Sequence, residues 1–217
     1  MTKLALALIC SGEKHELMYL ERVLQSVSPY VDGIFITFSG KDTSEAEEIC
    51  KKYNAVVSHN EALWTADEKT VAWLRNYLGY EPHMQIGDKL FLFDDARNFN
   101  FSQVPKEFDW ILWMDTDDVI KNGQNLRKVV EMASENQFEA VYFNYLYHVE
   151  MDNKTYCEAC HQQVASNLRQ IKHVIIEHLR ERLVRNNGKY KWIAPIHETL
   201  IEQVPTNKTD NYDVEIV

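Results

Sequence analysis

Leu4 to Cys10 is an unbroken apolar run, followed by the polar stretch Ser11 to Glu16. Such a run predicts a strand covered on both faces, as in a parallel sheet. Leu17, Leu20, Leu24 and Val27 recur at three- and four-residue spacing, which predicts a helix that Pro29 ends. Gly33 to Phe38, rich in β-branched and aromatic residues, predicts a second strand, and Ser39-Gly40-Lys41-Asp42 a turn. Ser44 with Glu47 predicts a capping box, opening a helix whose inward face holds Ala46, Ile49, Cys50 and Tyr53. Ala55 to His59 is a short third strand. This β-α-β-α-β order predicts a parallel sheet with right-handed crossovers.

Glu61 to Asp88 interrupts the alternation. Within it "TADEKTVAWLRNYLGY" reads as a helix with Val71, Leu74 and Leu78 on one face, ended by Gly79. "FDDARNF" predicts a helix holding Ala96 and Phe99, and Trp110 to Met114 a buried strand. Leu126, Val129, Val130 and Ala133 mark another helix. Val141, Phe143, Tyr145, Tyr147 and Val149 alternate as in a half-buried antiparallel strand. "RERLVRN" and "WIAPIHETL" read as a late strand pair, or a strand and a loop. With no internal repeat or linker, residues 1–217 form one α/β domain, with 61–88 as an insertion.

Composition narrows the class. The chain has 217 residues, 45% hydrophobic and 12% aromatic, enough for a sizeable core. A formal charge of −10 repels phosphate backbones, so nucleic acid is not an expected partner. No run reaches the ~18 apolar residues of a membrane span, and Leu4 to Cys10 lacks a cleavage site, so a cytoplasmic location is expected. "CEACH" (Cys157, Cys160, His161) matches a c-type haem attachment motif or half a zinc site; without an export signal or a second Cys/His pair, chance or a local redox pair is preferred.

The candidate chemistry lies in "WILWMDTDDVI". Asp115, Asp117 and Asp118 crowd the end of an apolar strand, where α/β sheets bind ligands. Crowded carboxylates need a compensating cation. No Lys or Arg lies within five residues before them and only Lys121 follows. A hard divalent ion, Mg²⁺ or Mn²⁺, is therefore expected, since it takes oxygen ligands and brings substrate phosphates with it. The competing reading is a solvated acidic turn that caps the next helix.

Four blocks, in order, resemble family 2 glycosyltransferases of the GT-A fold, the small soluble bacterial and phage type: "YLERVLQSVSPYVDGIFI", "DDARNF", "DWILWMDTDDVI" and "RERLVRNNGKYKWIAPIHETL". The resemblance implies a Rossmann-like three-layer α/β sandwich, its central sheet mostly parallel with a small antiparallel part. It implies a hexosyl- or N-acetylhexosaminyltransferase that inverts the anomeric centre of a nucleotide-sugar, with UDP the expected nucleotide. Asp117 would ligate Mn²⁺ or Mg²⁺ in the family's Asp-x-Asp motif. Asp115 would face the ribose or diphosphate, and Asp118 would support the metal shell. Arg97 would contact donor phosphates or base, the competing reading being a surface ion pair with Asp94 or Asp95. Asp42 and Glu13 would line the donor site. Thr37 stands where relatives carry the Asp that reads uracil, so base recognition is expected to be altered. Residues 61–88 would form a lid or the acceptor side. Relatives often run on past "DNYDVEIV" to a metal-binding His, so C-terminal truncation is an expectation.

Glu198 is the expected general base, with His197 second; the competing role for Glu198 is as a partner of Arg182 or Arg185. Tyr145, Tyr147, Trp113 and Trp192 are read as core before sugar-stacking groups. Acceptor and sugar stay open. Two alternatives remain: a haloacid-dehalogenase-like phosphohydrolase with Asp115 as nucleophile, since "DTDDV" also fits that motif, and a nucleotide-sugar-binding domain without turnover.

Overall fold

The computed structural model describes residues 2–150, 156–157, 162–163 and 173–217. Side chains of 147–150, 156–157, 162–163 and 173–176 are outside that description. So are Cys160 and His161, and with them the Cys157–Cys160–His161 cluster.

The first half follows the hydrophobic pattern. β1 (Leu4–Cys10), α1 (Leu17–Val27), β2 (Gly33–Phe38), α2 (Ser44–Lys52) and β3 (Val56–His59) alternate as expected. β1 pairs in parallel with β2, and β2 with β3. After β3 the chain makes an excursion: β4 (Leu63–Thr65), α3 (Glu68–Leu78) and β5 (Lys89–Phe91), closed by an antiparallel β4–β5 ladder. α4 (Phe93–Gln103) then leads into β6 (Trp110–Met114), which returns to the free side of β1 and pairs with it in parallel.

The second half makes the sheet mixed. β7 (Ile120–Lys121), α5 (Leu126–Glu135), β8 (Ala140–Glu150), the short ladder of β9 (Tyr156–Cys157) and β10 (Gln162–Gln163), β11 (His173–Arg185), the hairpin of β12 (Tyr190–Ile193) and β13 (Thr199–Glu202), and β14 (Lys208–Ile216) follow. The eight-stranded order is β3-β2-β1-β6-β11-β8-β14-β7. β11 runs antiparallel to both β6 and β8, which bears out the antiparallel expectation for β8; β14 lies parallel to β8.

β1 explains the layers. Leu4, Leu6, Leu8 and Cys10 face α1, α2 and α5 in one core, while Ala5 and Ala7 face the second core with Trp113, Phe108 and Trp192. Alternate residues point to opposite faces of a strand, so an unbroken apolar run is what a doubly covered strand requires. Each buried Leu contributes about 1.5–3 kcal/mol by leaving water. α4 and the β12–β13 hairpin cover the second face: Asn98 Nδ2 donates to Trp192 O (2.9 Å) and Trp192 N to Asn98 Oδ1 (3.0 Å).

Two local expectations are corrected. The Ser44–Glu47 capping box does not form. α2 is opened one residue earlier by Thr43, whose hydroxyl donates to Glu47 Oε1 (2.9 Å), while Ser44 turns to Asp42 (3.0 Å). On α3 only Val71 is buried. Leu78 is exposed along with Trp73 and Tyr77, on a helix that lies within the excursion between β4 and β5.

Candidate active site

β1 is the point where the strand order reverses: β2 and β3 lie on one side, β6 on the other. A crevice opens there beyond the carboxyl ends of the strands, the usual ligand site of such sheets. It encloses about 510 Å³ and is lined by Ser11, Glu16, Ser39, Arg97, Asp115 and Asp117, among others. Asp42 and Glu13 line a second cleft of about 500 Å³ with Gly12 and Gly40, and Ser39 borders both.

The acidic tip of β6 is compensated by arginines from distant sequence. Arg97 Nη2 donates to Asp115 Oδ1 at 2.5 Å, and Arg97 Nε to Glu198 Oε1 at 2.7 Å. Arg182 Nη1 lies 2.9 Å from Asp118 Oδ2 and 3.5 Å from Asp115 Oδ2. Asp118 Oδ2 also accepts from the Asp115 backbone N–H (2.8 Å), which fixes the turn. Burial works against the Asp115 carboxylate, but Arg97 and Arg182 outweigh it and hold its pKa below the usual range. Burial pushes Asp118 upward, and Arg182 opposes this.

Both arginines are locked by aromatic rings. The Arg97 guanidinium sits 5.0 Å from the Trp113 ring centre and 4.8 Å from that of Trp192. Arg182 lies 3.9 Å from Trp113 and 4.5 Å from Tyr145. Trp113 and Trp192 are buried and meet edge to face at 4.7 Å, so they form the wall behind the site.

Arg97 and Arg182 thus neutralise Asp115 and Asp118, while the Asp117 carboxylate has no ion-pair partner among the described residues. Arg97 is buried and does not pair with Asp94 or Asp95 at the surface, and Glu198 partners Arg97 rather than Arg182 or Arg185. Asp118, expected in the metal shell, is 1% exposed and held by Arg182. Asp117 is exposed, lines the crevice and keeps a carboxylate without a hydrogen bond among the described residues. Its backbone oxygen is held by Arg22 Nη2 (2.6 Å). No three His, Cys, Asp or Glu side chains converge as a metal cage among the described residues. A Mg²⁺ that arrives with a diphosphate needs only one or two protein carboxylates, of which Asp117 can supply one.

Thr37 is 1% exposed, with its hydroxyl engaged by Ser58 (2.8 Å) and Asn100 (2.9 Å), so it supports the sheet beneath the crevice and does not line it. His197 is exposed with φ of 55°, on the loop before β13. Sequence reading named Arg182 only as a competing partner of Glu198, and it did not single out Arg180, which lies over Trp113, or Glu16. Glu16 holds the end of β1: its Oε2 accepts from Cys10 Sγ (3.0 Å), Ser11 N (2.8 Å) and Ser11 Oγ (2.8 Å). Burial acts against Glu16, yet these donors bring its pKa below the ordinary value.

No protein-family model and no curated protein matches the chain. Among solved structures it is similar to Staphylococcus aureus TarS in complex with UDP-GlcNAc, at 14% identity over 70% of this chain and 35% of that one, with a TM-score of 0.42. It is similar to glucosyl-3-phosphoglycerate synthase from Mycobacterium tuberculosis in complex with Mn²⁺, UDP and glucosyl-3-phosphoglycerate, at 18% identity over 66% and 44% of the two chains and a TM-score of 0.39. It is also similar to 4-diphosphocytidyl-2C-methyl-D-erythritol synthase from Anaerococcus prevotii, at 10% identity over 85% and 70% and a TM-score of 0.42. The chain thus spans less than half the length of the first two. Likenesses of this strength establish no activity for it.

Proposed function

We propose that this chain is a glycosyltransferase that takes a sugar from a nucleoside-diphosphate donor, with UDP the expected nucleotide. The observation that carries the reading is the crevice at the reversal of strand order, bordered by a free Asp117 and an Arg97-bound Asp115. Position and chemistry there suit a diphosphate.

In this reading Asp117 is the protein ligand of Mg²⁺ or Mn²⁺, with Asp115 adjoining. The bound ion would neutralise charge that grows on the leaving diphosphate. Arg97, fixed between two Trp rings, orients Asp115 and Glu198 together. One Glu198 oxygen is held by Arg97 Nε; the other accepts no hydrogen bond among the described residues, which supports Glu198 as the base that would take the acceptor's hydroxyl proton. Buried Trp113 and Trp192 make one wall dry, which strengthens these electrostatic contacts.

The phosphohydrolase alternative is disfavoured by Asp115 itself. A carboxylate nucleophile needs an oxygen free to meet phosphorus, and both Asp115 oxygens face guanidinium groups.

The test is incubation of the chain with a panel of nucleotide-sugars and Mg²⁺ or Mn²⁺, reading free nucleotide and thermal stability. Metal-dependent stabilisation together with slow nucleotide release is expected from one donor. Absence of both with every donor sinks the reading; stabilisation without release by any acceptor leaves a nucleotide-binding domain.

A further inference from the structure

β11 carries His178, Arg180 and Arg182 at alternate positions, so their side chains share one face of the sheet. The face is confirmed by contacts. His178 meets Tyr145 edge to face at 5.1 Å, Arg182 covers Tyr145 and Trp113, and the Arg180 guanidinium lies 5.1 Å from the Trp113 ring centre. Trp113 therefore has three guanidiniums around it, from Arg97, Arg180 and Arg182.

Two of the three are spoken for. Arg97 is bound by Asp115 and Glu198, and Arg182 by Asp118 and Asp115. Arg180 makes no ion pair or hydrogen bond among the described residues, though it is half-buried. A guanidinium has five N–H donors in a planar fork, and those of Arg180 lie over the Trp113 ring with no oxygen acceptor among the described residues. In a chain of net charge −10 such a group stands out. Its positive field reaches its neighbours: burial, then Arg180 and Arg182, lower the pKa of His178.

Position separates Arg180 from the crevice. The crevice lies toward β1 and β2, whereas β11 flanks β6 on the other side. Val184 and Leu183 pair with Ile111 and Leu112, so the chain toward Arg180 runs past the carboxyl end of β6, next to Asp115.

We propose that Arg180 receives an anionic group, phosphate or carboxylate, of the acceptor that reacts beside Asp115. This rests on the transferase reading and adds a substrate class to it: the acceptor is an acidic molecule, and its anion is held on the β11 side while the donor occupies the crevice. The fork of Arg180 binds two oxygens at once, and the Trp113 ring beneath it fixes its plane.

The experiment titrates inorganic phosphate into the chain already saturated with UDP and Mg²⁺, with binding followed by calorimetry for wild type, R180K and R180Q. Millimolar phosphate binding by wild type, weakened about tenfold or more in R180Q and partly kept in R180K, is expected. Arg180 makes no ion pair or hydrogen bond among the described residues and reaches Asp115 only through its field, so UDP affinity in R180Q is expected to stay within about threefold of wild type. Equal phosphate binding by wild type and R180Q, or none by wild type, overturns the proposal. Loss of UDP affinity in R180Q also overturns it, because Arg180 would then serve the donor. Failure of wild type to bind UDP at all would instead strike the transferase reading itself.

Discussion

Arg182 and Asp118 form an ion pair of 2.9 Å in which neither side chain reaches solvent. Arg182 also has two buried donors, Nε and Nη2, without acceptors among the described residues. Removing one partner of such a pair leaves an isolated buried charge, which costs about 3–5 kcal/mol. Asp118→Ala is therefore expected to lower the melting temperature by roughly 10 °C. A change within about 2 °C would show that Arg182 is compensated elsewhere.

Asp117 sits one residue away with the opposite character. Its carboxylate is exposed and unbonded, so Asp117→Asn is expected to leave the melting temperature within about 1 °C. It should remove metal-dependent stabilisation by nucleotide-sugar and reduce nucleotide release by about 100-fold. Retained metal dependence in that variant would move the ligand role elsewhere.

These two neighbours show what sequence can and cannot convey. The strand Trp110 to Met114 and its acidic tip were legible because apolar burial and turn chemistry are local. The compensation was not: Arg97 is 18 residues from Asp115, Arg182 is 67 away, and Glu198 is 101 from Arg97. A charge count within five residues of Asp115 therefore missed the guanidiniums that folding brings to Asp115 and Asp118. Likewise the 3.6-residue period located α3 and its inward side at Val71 and Leu74, but Leu78 at its end is exposed, and Trp73 and Tyr77 stack on each other at 5.3 Å in the open. Periodicity reports a helix; what lies against it is decided by the rest of the chain. β1, β2 and β6 were legible in full because strands covered on both faces have only one pattern open to them.

Glu198→Gln separates the base role from the bracing role. Gln keeps an oxygen for Arg97 Nε, so donor affinity and stability should hold. Turnover with acceptor should fall by about 100-fold or more if Glu198 takes the proton. Steady-state kinetics with saturating donor decide it: a kcat equal to wild type assigns Glu198 to bracing alone.

Asp32 gives the pH dependence a local origin. Its carboxylate accepts from Leu4 N (2.8 Å) and pairs with Arg127 (2.5 Å), strapping β1 to α5. Burial opposes ionisation, but Arg127 and the Leu4 N–H outweigh it, so the folded pKa is below the ordinary 3.8. The stabilisation is full above 3.8 and is lost as pH falls through the lower folded value. Asp32→Asn should cost about 1 kcal/mol at pH 7, roughly 3 °C, and the gap from wild type should close in melts taken toward pH 2. A gap that is the same at both pH values would mean that the strap is not ionic.

The arginine-compensated tip also bears on the order in which the chain folds. Asp115 and Asp118 directly follow β6, but Arg182 arrives with β11 and Glu198 with the following hairpin. A nascent sheet of β3, β2, β1 and β6 would hold two carboxylates with only Arg97 to meet them, and an open edge on β6. The long-range docking of β11 repairs both faults in one step, so the two halves should fold and unfold together, without a stable N-terminal intermediate, and slowly for their size.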